Sequence, residues 1–119
     1  MYLSCFDDVK ELTKDLVRIP SIVKTSGEID CARRIHDFYS KLQYFQQNPG
    51  HLLLQQTEDD EIRRYNVLAM VKGTKGSSNR TVIIMGHIDT VGVDDFGTLK
   101  EHAFDPDRLP ELLRDLNLG

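Results

Sequence analysis

The run from Tyr65 to Val71 limits this chain most. Tyr65, Val67, Ala69 and Val71 fall on one face and Leu68 and Met70 on the other, and both faces are largely apolar. Side chains alternate across a strand, so one that is apolar on both faces has to be covered on both. Thr81 to Met85 (TVIIM) has the same character. Two such strands predict helices above and below a sheet, a layered α/β arrangement. Leu52-Leu53-Leu54 predicts a further strand that runs out in the polar stretch 57–61 (TEDDE). GTKGSSN at 73–79 predicts a flexible hairpin connector.

Helical signals flank these strands. Ser4 with Asp7 is an S-x-x-D start, and Phe6, Val9, Leu12 and Leu16 recur at helical spacing until Ile19-Pro20-Ser21 ends the pattern. Thr25-Ser26-Gly27-Glu28 opens a second helix with a capping-box pattern and an apolar stripe of Ile29, Ala32, Ile35, Tyr39 and Leu42. Asn48-Pro49-Gly50 reads as a loop. From Gly86 to Asp107 no periodicity emerges. Pro110 then suits the first turn of a short final helix carrying Leu112, Leu113 and Leu116, with Gly119 as its stop.

Chain-wide properties exclude several classes. A length of 119 residues fits one small domain or part of a larger one, with enough surface to bury a real core. The net charge of −4, with Lys and Arg scattered, argues against a nucleic-acid partner. No apolar stretch approaches a membrane span, and MYLSCFDDVKEL lacks the features of an export signal, so a cytoplasmic protein is expected. Cys5 and Cys31 lack metal or redox spacing and read as small packing residues.

The chemistry concentrates in MGHIDTVG, Met85 to Gly92. In open α/β sheets, sites lie beyond the carboxyl ends of strands, where His87 falls. In an extended chain His87 and Asp89 point to the same side. His87 then has the position of a metal ligand, and the Asp89 carboxylate can accept a hydrogen bond from its other ring nitrogen and fix the ring. The alternative is a loop histidine beside a turn aspartate. His36, His51 and His102 have no such context and read as structural or solvent-facing.

TVIIMGHIDTV resembles the first metal-ligand motif of the zinc-dependent aminoacylase and carboxypeptidase metallopeptidases. ELTKDLVRIPSIVKTSGEIDCARRIHDFYSKL and RYNVLAMVKG resemble the segments that precede it in that family, and VGVDDFGTLKEHAFDPDRL resembles the arginine-utilisation branch. The resemblance implies a partial three-layer α/β/α sheet of a zinc-exopeptidase-like catalytic domain, with residues 1–119 as its N-terminal fragment. It implies hydrolysis of a small amide or peptide substrate by a zinc-bound water. His87 matches a ligand of one of two zinc ions. Asp89 matches the carboxylate that orients this histidine and is counted with the active site.

The chain departs from the family by lacking the rest of that site. No Glu-Glu pair supplies a general base, and Asp94, Asp95, Asp105 and Asp107 match no ligand context. A catalytic zinc needs about three protein ligands. The chain is therefore expected to be inactive alone, and a non-catalytic α/β binding or assembly module is the alternative. The sequence does not fix the oligomeric state.

Overall fold

The computed structural model describes residues 6–116. The expectations for Ser4, Cys5 and Gly119 lie outside them. The fold is mixed α/β. Helix α1 spans Phe6–Val17, α2 Gly27–Ser40, α3 Gln43–Gln47 and α4 Arg108–Asp115. Strands β1 (Leu52–Gln56) and β2 (Tyr65–Ala69) form an antiparallel hairpin, with Leu52 opposite Ala69 and Gln56 opposite Tyr65. Short 3-10 turns cover Pro49–His51 and Asp94–His102, the second broken at Gly97 by a φ of 54°.

Helix α2 organises the fold. It packs against α1, α3 and both strands. Its Cys31 and Ala32 are buried, as are Phe45 of α3 and Leu52 of β1. Tyr39, Tyr44 and Phe45 add edge-to-face ring contacts. Full burial of a side chain such as Leu or Phe is worth about 1.5–3 kcal/mol, so this cluster is a small core. The whole chain exposes 9802 Å², against roughly 6,600 Å² for a compact monomer of its mass. The larger core expected from chain length is therefore not realised.

Among the described residues one helical layer lies against the sheet, and the expected three-layer arrangement is not seen. α2 covers one face of the hairpin, while Leu53 and Leu68, paired across the strands, stay about half exposed on the other. Thr81–Met85 was expected to be a doubly buried strand but pairs with nothing among the described residues. Val82, Ile83, Ile84 and Met85 are 84, 78, 92 and 89% exposed. A run of apolar residues sets the preference for a strand, but a ladder needs a neighbour, and among the described residues β1 and β2 pair only with each other.

Polar contacts fix the hairpin and the helix termini. The Asp60 carboxylate accepts hydrogen bonds from Thr57 Oγ1 at 2.6 Å and from the Arg64 backbone N–H and Nε, each at 2.8 Å. The Arg64 guanidinium, then the Thr57 hydroxyl, hold this carboxyl well below the usual range. Buried Glu28 accepts from the Lys24 N–H at 2.6 Å and lies 3.6 Å from Arg64, tying the start of α2 to the hairpin turn. This is not the predicted capping box, in which Glu28 would reach back to the N-cap itself. Lys14 of α1 and Arg18 just after it pair with Asp107 before α4. The Tyr44 hydroxyl shares a hydrogen bond with His51 Nδ1 at 2.9 Å and accepts the Lys72 N–H at 2.8 Å, a structural use of His51. Among the described residues no helix is long and apolar enough to cross a membrane.

The Asp60 contacts predict an acid-sensitive fold. A carboxyl depressed on folding contributes stability that is present above its unfolded pKa and lost as pH falls through the folded one. The melting temperature is therefore expected to fall as pH drops below about 4. Asp60→Asn should lower it at neutral pH and flatten the acid decline. Circular-dichroism melts of both proteins across that range check this, and parallel curves would refute it.

Candidate functional site

The site begins where α1 ends. Ile19, Pro20 and Ser21 do more than stop the helix. The Ser21 N–H bonds the Ile19 carbonyl at 2.7 Å, and Ser21 is buried at the foot of α2. Gly27, the first residue of α2, lies so close that a Cβ there would sit 1.9 Å from the Pro20 carbonyl oxygen. Only glycine permits that approach. Cys31 lies beneath; burial raises its thiol pKa, partly offset by the Ser21 hydroxyl. Its predicted packing role agrees with this position.

The turn grips the loop that carries His87. Ile22 and Thr90 form a parallel bridge. The Thr90 N–H donates to the Ser21 carbonyl, and the Val23 N–H donates to the Thr90 carbonyl, both at 2.9 Å. Among the described residues, these are the backbone hydrogen bonds that join residues 81–92 to the rest of the fold. Sequence reasoning saw the Ile-Pro-Ser turn and missed this use. The available signal was Gly27, a poor helix former at the start of an otherwise regular helix.

His87 and Asp89 come together, with one difference from expectation. His87 Nδ1 lies 3.0 Å from the backbone carbonyl oxygen of Asp89 and 3.4 Å from its carboxylate Oδ1. The backbone oxygen thus takes the hydrogen bond assigned to the carboxylate, which stays near as a charge. Both oxygens are acceptors only, so a neutral ring carries its proton on Nδ1. Nε2 keeps its lone pair, and the side chain is 86% exposed. That is the form in which imidazole binds a metal.

Three of the four acids noted in the sequence are committed elsewhere. Asp94 pairs with Lys100, which lowers its pKa. Asp105 accepts the N–H groups of Arg108 and Asp107 at 2.8 and 3.0 Å at the start of α4, and its pKa is lowered by them. Asp107 is held by Lys14 and Arg18. His102 is half-buried at the end of its 3-10 turn. Among the described residues no three His, Cys, Asp or Glu side chains gather in a group that could hold a metal. One imidazole does not make a zinc site, so the residues present do not by themselves fit the ion.

The chain is similar to Protein RocB of Bacillus subtilis (strain 168). The two are 43% identical over 103 residues, which are 87% of this chain and 18% of RocB. A protein of the same organism named Uncharacterized protein YqjN is 30% identical over 103 residues, again 87% of this chain and 18% of the relative. The chain thus spans about a fifth of the length of the curated relatives it matches. No protein-family model matches it. No solved structure matches it.

Proposed function

We propose that this chain is the N-terminal portion of a metal-dependent hydrolase of amide or peptide bonds, with zinc as the metal and arginine utilisation as its setting. The observation that carries the reading is His87. Its Nδ1 is turned toward Asp89 and its Nε2 is free and solvent-facing. The likeness to RocB supports continuity with a longer protein. In this reading Asp89 sets the ring's tautomer, and the remaining ligands and the general base come from sequence outside these 119 residues. The substrate is a small amide or peptide, and the protein works in the cytoplasm.

The test compares two lengths. A protein extended along its coding sequence to the length of the relatives is expected to purify with stoichiometric, chelator-resistant zinc and to hydrolyse N-acyl amino acids or dipeptides. The 119-residue chain is expected to do neither. Metal analysis and amine-release assays decide. An extended protein with no zinc and no hydrolysis would leave the non-catalytic α/β module as the better reading.

A further inference from the structure

We infer that Ser21 is a positioning residue for His87, acting through the peptide unit that joins Asp89 to Thr90. That unit carries two hydrogen bonds pointing opposite ways. Its N–H, from Thr90, donates to the Ser21 carbonyl at 2.9 Å. Its C=O, from Asp89, accepts from His87 Nδ1 at 3.0 Å. A trans peptide is planar and stiff, so fixing the direction of the N–H fixes the direction of the C=O. Ser21 thereby aims the Asp89 carbonyl at the imidazole. Each bond also polarises the peptide in the sense that strengthens the other.

The anchor is buried where the loop is not. Ser21 is 3% exposed, held at the foot of α2, whereas His87 is open to solvent. The second strand of the grip, Val23 N–H to the Thr90 carbonyl, stops the loop from rotating about the first bond. Gly27 sets the height of the platform, because any side chain there would drive into the Pro20 carbonyl. Pro20, Ser21 and Gly27 thus work as one unit, and its output is the tautomer of His87. The functional meaning of that output rests on the hydrolase reading above; the positioning itself does not.

The test uses the 119-residue chain labelled with ¹⁵N, at a pH where imidazole is neutral. In the unaltered chain the Thr90 and Val23 amides are expected to be protected from exchange, and the His87 ring nitrogens to show the Nδ1–H tautomer. Gly27→Ala is expected to speed exchange at Thr90 by about tenfold or more and shift His87 toward the Nε2–H tautomer. Leu53 and Leu68, a hydrogen-bonded pair of the hairpin, should stay protected. Gly50→Ala, where a new Cβ meets nothing within 4 Å, should change neither readout. If Gly27→Ala unfolds the hairpin as well, replacing the Asp89–Thr90 amide by an ester decides, since it deletes the Thr90 N–H without adding atoms toward Ser21 and is read on the His87 tautomer alone. Loss of Thr90 protection with an unchanged His87 tautomer overturns the inference, as does an unaltered chain with the Nε2–H tautomer. Neither readout involves metal, so an extended protein without zinc would sink the hydrolase reading and leave this result standing.

Discussion

The purified 119-residue chain is expected to self-associate, and Ile84→Lys is expected to weaken that association by about tenfold to a hundredfold. Val82 to Met85 is an apolar segment with four consecutive side chains almost fully exposed. None of its backbone groups makes a backbone hydrogen bond among the described residues. Among the described residues the hairpin also has two unpaired edges and an uncovered apolar face with Leu53 and Leu68. Free edges and exposed apolar segments of high strand propensity recruit further strands. Burying one Ile is worth about 1.5–3 kcal/mol, which converts to the stated factor. A lysine at position 84 removes that gain and adds a charge that resists stacking. Sedimentation velocity across a concentration series reads the effect. A wild-type chain that stays monomeric throughout would refute the prediction.

The same segment marks the boundary of what the sequence could convey. Periodicity located α1, α2, β1 and β2 closely, because each carries a local apolar pattern, although only α2 and β1 hold fully buried residues. It placed α4 through Pro110 and the leucines. For Thr81–Met85 it conveyed only that the residues want burial, and burial requires strands that the described residues do not supply. Helix α3 was missed because Leu42 looked like the last residue of the α2 stripe. In the fold the chain turns at Lys41, and Leu42 caps a new helix that brings Phe45 into the core. The site divides in the same way. Gly-His-x-Asp pointed to His87 and Asp89 through residue type and spacing. Which Asp89 oxygen meets the ring, and the grip of Ser21 on Thr90, depend on contacts between segments about 70 residues apart, and no local pattern records those.

That choice of oxygen leads to the prediction for the extended protein. His87→Ala is expected to weaken zinc binding beyond the about 10–100-fold that a partner of a ligand is worth. Asp89→Ala is expected to cost less than tenfold, below the low end of that range. The reason is geometric. The acceptor at 3.0 Å from His87 Nδ1 belongs to the backbone, and no side-chain substitution deletes it. The carboxylate at 3.4 Å is beyond good hydrogen-bond length and its side chain is 42% exposed, so water screens its charge. Removing it should leave the tautomer in place and take away only a modest electrostatic contribution to ligand basicity. Competition titrations with a chromophoric chelator measure both variants. If Asp89→Ala proved as damaging as His87→Ala, the carboxylate would have to swing onto the ring, or onto the metal, when the site is complete. The backbone bond seen here would then belong to the unfilled loop rather than to the working one.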